Sequence, residues 1–112
     1  QQMIPTGERS AYSAFQTKTN VGTTELDTCF QHTQTSGSPK IVLSSAQRSI
    51  TVKAPANKFP FFQVFTPPHR ESIALEPMTC NVDAFNNGQG LVSLAPDKKW
   101  TGKMELTVDG GR

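Results

Sequence analysis

Residues 72–80 read Ser-Ile-Ala-Leu-Glu-Pro-Met-Thr-Cys, and Glu76 is the one charged group in that run. A carboxylate in an apolar stretch costs several kcal/mol to bury unless it is paired or changes its proton affinity. Such a group suits proton transfer at neutral pH, where a base should have a pKa nearer 7 than a free carboxylate has. Pro77 cannot donate to a strand ladder and pushes Glu76 toward extended geometry. The segment is therefore expected to end a strand and present an acid; the plainer alternative is an edge-strand glutamate facing water. A second carboxylate stands at Asp27, in Leu26-Asp27-Thr28-Cys29-Phe30. Period-two alternation puts Leu26, Thr28 and Phe30 on one face and Asp27 and Cys29 on the other. Asp27 thus stands beside a small thiol, unless it only bonds local backbone as a strand-start residue. Of the two histidines, His69 follows two prolines in a charged loop and is expected to face solvent. No His or Cys spacing suits a structural zinc site, so no metal is expected.

The elements that must hold these groups are short strands joined by turns. Lys40-Ile41-Val42-Leu43 and Ser49-Ile50-Thr51-Val52 predict a hairpin, closed across residues 44–48. Residues 59–66, Phe-Pro-Phe-Phe-Gln-Val-Phe-Thr, hold four of the seven phenylalanines. Phe62, Val64 and Thr66 fall on one face, and Phe61, Gln63 and Phe65 on the other. A strand apolar on both faces belongs at the centre of a sheet. A platform that stacks sugars is the sharper, minority reading of these rings. Residues 9–15 alternate weakly and suggest a strand, and residues 16–25 a polar loop. Residues 82–88 suggest one helical turn closed by Gly88. Residues 91–94 read as a strand. Residues 99–108 read as a long half-buried strand with Trp100, Gly102, Met104, Leu106 and Val108 on one face, followed by a tail.

Composition narrows the function classes. The 112 residues suffice for one small domain. Charged residues make up 18% and the formal net charge is +2, with basic residues scattered singly apart from Lys98-Lys99. Nucleic-acid binders concentrate Lys and Arg on one face, so no nucleic-acid partner is expected. No apolar run approaches the roughly 18 residues of a membrane span, so no membrane partner is expected either. The start, Gln1-Gln2-Met3, lacks a signal-peptide pattern. Cys29 and Cys80 are expected to be free buried thiols of a cytoplasmic protein, and a disulfide between them is left open.

Taken together, the motifs resemble the aldose 1-epimerase (galactose mutarotase) family. Ile4-Pro5-Thr6-Gly7-Glu8 is similar to its "PTGE" turn, and residues 25–30 to its "LDxxF" segment. Gln63-Val64-Phe65-Thr66 resembles its "QVYT" strand, and residues 72–85, SIALEPMTCNVDAF, are the closest match. Residues 90–94 with Pro96 and Trp100 resemble its closing strands. Each motif is weak alone; their order and spacing make the assignment specific. Two departures stand out. Phe65 replaces the usual tyrosine, and Phe15-Gln16 stands near the place of the family's "DF" pair.

The resemblance implies an all-β fold, an antiparallel β-sandwich of the galactose mutarotase-like supersandwich type. Residues 1–112 would form the C-terminal part of that single domain, its second half. It implies interconversion of the α and β anomers of a free hexose such as glucose or galactose, with no cofactor. Glu76 would be the general base and Asp27 would bind sugar hydroxyls. The family's acid histidine, and the histidine and arginine that assist binding, lie in its first half and have no match here. The expected partners are a monosaccharide substrate and a second chain, or the missing N-terminal half, supplying the acid. The alternatives are a non-catalytic carbohydrate-binding or regulatory sandwich, or a hexose-6-phosphate epimerase. The last would need paired basic residues, and Arg48 and Arg70 are not evidently paired.

Overall fold

The strand richest in aromatic residues takes the central place that its composition predicts. In a computed structural model describing residues 6–110, β4 (Phe61–Phe65) lies between β1 (Asp27–Gln31) and β5 (Ala74–Met78). Both pairings are antiparallel. Phe61 and Val64 are buried on opposite faces of β4. Thr66 extends the β1–β4 ladder by one clasp. Its hydroxyl accepts from the Leu26 N–H at 2.7 Å, and its own N–H donates to the Leu26 carbonyl at 2.8 Å. That reciprocal pairing satisfies polar groups of two buried residues.

A second sheet has the order β2-β3-β6, with β2 (Lys40–Ser44), β3 (Arg48–Lys53) and β6 (Glu105–Gly110). The β2–β3 hairpin forms as expected. Its turn is closed by the Ser45 N–H donating to the Arg48 carbonyl at 2.8 Å. The Ser45 hydroxyl in turn accepts from the N–H groups of Gln47 and Arg48. The register sets Ile41, Val52 and Leu106 in one row and Leu43, Ile50 and Val108 in the next. These rows give the sheet one apolar face. The architecture is thus all-β, two small antiparallel sheets in a sandwich-like arrangement. A four-residue helix, α1 (Ala84–Asn87), is closed by Gly88 in the left-handed region, as the glycine predicts.

Several expected boundaries are corrected. Residues 9–15 form no strand; Tyr12 and Phe15 instead pack ring to ring, and Tyr12 packs on Phe30. Residues 91–94 are irregular, and the long final strand begins only at Glu105. Before it, the Trp100 ring leaves the strand path to pack edge-on against Phe59, 6.0 Å between centroids. Gly102 leaves room for that ring, since a Cβ there would meet it at 2.4 Å. Nor is β6 half-buried: Leu106 is 68% and Val108 58% exposed. β5 does not stop at Glu76 but runs through Pro77 to Met78. It is an edge strand, where a residue without an N–H is tolerated. Ile4 and Pro5 of the expected first turn lie outside the described residues.

These placements separate packing residues from surface ones. Phe61→Ala should lower stability by about 3–5 kcal/mol, the usual cost of deleting a buried aromatic ring. Phe85→Ala should change it by less than about 0.5 kcal/mol, since Phe85 is 94% exposed. Chemical-denaturation midpoints of the two variants check the contrast.

Candidate active site

The strand register decides which side chains meet. Cys29, Gln63 and Glu76 form one row across β1, β4 and β5, and Asp27, Phe65 and Ala74 form the next. Side chains alternate between faces, so Asp27, Gln63 and Glu76 share one face of the sheet. Asp27 and Glu76 sit on its two outer strands, two strand spacings and one row apart, roughly 12 Å between Cα atoms. Gln63 lies between them and is half-buried, while both carboxylates are exposed. The partial burial expected of Glu76 is therefore absent: an edge strand leaves it open to water.

Gln63 links the outer strands chemically. Its Nε2 donates to Asp27 Oδ1 at 2.7 Å. Its Oε1 is buried and has no hydrogen-bond partner among the described residues. A buried acceptor without a donor costs about 1–3 kcal/mol. The sequence drew attention to the two carboxylates and not to Gln63. The available signal was that Gln63 is the single polar residue in a strand of phenylalanine and valine.

The segment after β5 folds back over the same face. The Val82 N–H lies against the Cys29 sulfur, and Gly90 sits against the Phe61 ring and the Cys80 backbone. A Cβ at Gly90 would stand 2.9 Å from that ring, and φ there is +74°. Both facts favour glycine. Cys29 and Cys80 are free and half-buried. Burial pushes the Cys29 thiol up, an effect the Val82 N–H opposes, Cys80 reinforces and Arg9 opposes. Arg9 and Gln89 also lie on this face, at the Gln31 end.

Neither histidine joins the carboxylates. The His32 ring stacks on Phe62 at 4.8 Å, and Phe62 stacks on Phe30 at 5.1 Å. Those rings occupy the opposite face of the sheet. His69 lies exposed in the β4–β5 loop, its Nδ1 accepting from the Glu71 N–H at 3.0 Å. Arg70 is committed to the Gly22 and Thr24 carbonyls, at 2.9 and 3.1 Å. Arg48 belongs to the other sheet, so the two do not form a paired basic site. No group of three or more candidate metal ligands occurs among the described residues. No helix among them is long and apolar enough to cross a membrane.

A family model described as aldose 1-epimerase matches residues 1–107. No curated protein and no solved structure matches the chain. The chain belongs to the aldose 1-epimerase family.

Burial of His32 gives a pH signature. Desolvation holds its imidazole below the ordinary value of 6.5, so the unfolded chain takes up that proton more readily. Stability from the neutral ring is present above that value and is lost as pH falls through it and on to the folded-state pKa. Melting temperature should therefore fall between pH 7.5 and 5.5, and His32→Phe should flatten the slope. Parallel slopes in thermal melts would assign the loss to other groups.

Proposed function

We propose that this member of the aldose 1-epimerase family interconverts the α and β anomers of a free hexose such as glucose or galactose. Glu76 is the general base. Asp27 holds sugar hydroxyls, and a group outside residues 1–112 supplies the acid. The observation that carries this reading is the set of polar groups that the register brings to one sheet face. Asp27 and Glu76 are exposed there on the two outer strands, and Gln63 between them holds Asp27 through its Nε2. A polyhydroxylated ring presents several O–H donors. Ionised carboxylates are acceptors only, so they match hydroxyls and reject other acceptors.

The chemistry follows from those roles. Glu76 takes the proton of the anomeric hydroxyl while an acid protonates the ring oxygen. The C1–O5 bond breaks, giving the open aldehyde. Rotation about C1–C2 presents the other carbonyl face, and reversal of both proton transfers closes the ring. The C1–O5 bond breaks and reforms with no redox change, and the proton transfers that accompany it need only side chains. The acid comes from a second chain or from an N-terminal half that covers this face.

A second reading, a sugar-binding module without turnover, is favoured by the position of the histidines. His32 lies on the opposite face and His69 in an exposed loop. A hexose-6-phosphate epimerase has less support, because Arg70 is tied to backbone carbonyls.

Polarimetry on freshly dissolved α-glucose or α-galactose separates turnover from binding. In the complete enzyme, Glu76→Gln should lower kcat by about 10²–10⁴, the contribution of a good general base. Asp27→Asn should act mainly through KM. Undiminished kcat in Glu76→Gln would remove the base assignment.

A further inference from the structure

Among the described strands, β6 alone is exposed along its whole length, from Glu105 to Gly110. It is an edge of the second sheet and pairs only with β3. An edge of this kind presents a row of backbone N–H and C=O groups to any strand that approaches. Leu106 and Val108 lie on its apolar face, and alternation continues that face to Met104; all three are exposed. The other face alternates Lys103, Glu105, Thr107 and Asp109. Within the sheet Glu105 faces Lys53, a pair of opposite charges. Asp109 faces the uncharged Ser49, and Lys103 lies beyond the last pair of the ladder. The chain itself therefore sets no opposite charge across the ladder from either of these two.

We infer that β6 pairs antiparallel with β6 of a second copy of this chain, about a two-fold axis centred on Leu106. The two three-stranded sheets then join into one sheet of six strands with a common apolar face. Facing residues must share a face, so the axis passes through a residue and not between two. Three centres lie within the exposed run. At Thr107 the axis would set Glu105 against Asp109 twice, carboxylate on carboxylate. At Val108 it would set Thr107 against Asp109 and leave both unmatched charges as they are. At Leu106 it sets Lys103 opposite Asp109 on both sides of the axis, Glu105 opposite Thr107 and Met104 opposite Val108, with Leu106 meeting its own copy. Charge complementarity and apolar matching thus agree on one register. Each strand carries both the lysine and the aspartate, so a closed pair of identical strands satisfies both at once. The other edge has less to gain: Lys40 is the only charge of β2, and Ile41 and Leu43 are already half-buried. None of the pairing residues belongs to the first sheet, so the inference does not rest on the sugar-site reading. One strand pair is small beside the roughly 1,200 Å² of a standard interface, so the dimer should dissociate at about 10–100 μM.

Sedimentation equilibrium of the whole chain across that range tests this and should show monomer and dimer with nothing larger. Leu106→Lys sets like charges face to face at the axis and should leave only monomer, with an unchanged circular dichroism spectrum because the site is exposed. Lys103→Asp and Asp109→Lys should each weaken the dimer about tenfold, since each acts at two symmetry-related pairs. The double exchange should restore it. A monomer at every concentration would overturn the inference. So would a dimer indifferent to these substitutions, or one that the double exchange fails to restore. A ladder of larger species would overturn it too, since that is the signature of β6 joining β2 of the next copy head to tail.

Discussion

Everything in the acceptor face depends on the register of one central strand. β4 alternates between Phe61, Gln63 and Phe65 on one side and Phe62 and Val64 on the other. A slip of one residue against β1 or β5 would send Gln63 to the face opposite Asp27 or Glu76. The register is held by apolar burial on both sides, with Phe61 and Val64 nearly closed to water, and by the double clasp of Thr66 on Leu26. The Gln63–Asp27 hydrogen bond is a consequence of that alignment as well as a support for it. Packing thus places the polar groups of this face.

The molecule also leaves apolar surface uncovered. Leu106 and Val108 continue the apolar face of the second sheet yet are exposed, and Trp100, Met104 and Leu94 are exposed as well. β1 and β5 are both edges of their sheet, as are β2 and β6 of theirs. Uncovered edges and faces of this kind ordinarily meet another element. On the first sheet Glu76 is exposed as well, on edge strand β5.

Much of this was legible in the residues. The hairpin was readable because β-branched residues alternate on both sides of a serine-closed turn. The centrality of β4 was readable because a strand of phenylalanines cannot face water on either side. The glycine-closed helical turn followed from the freedom of Gly88. Boundaries set by tertiary contact were not readable. Arg9 to Phe15 alternates like a strand, but Tyr12 and Phe15 settle on Phe30 instead of entering a ladder. Pro77 suggested a strand end, and an edge position overrode it. The two carboxylates were visible by type, but Gln63 was not. Its bond to Asp27 follows from the pairing of β1 with β4, which residue types do not fix.

The central claim is that one face of the β1-β4-β5 sheet receives a sugar, and amide chemical shifts test it most directly. A ¹⁵N-labelled chain titrated with glucose and galactose should show its largest changes at the Gln63 side-chain amide and at the backbone amides of Asp27 and Glu76. The His32–Phe62–Phe30 side should stay still. Changes confined to that aromatic side, with the Gln63 amide unmoved, would contradict the account.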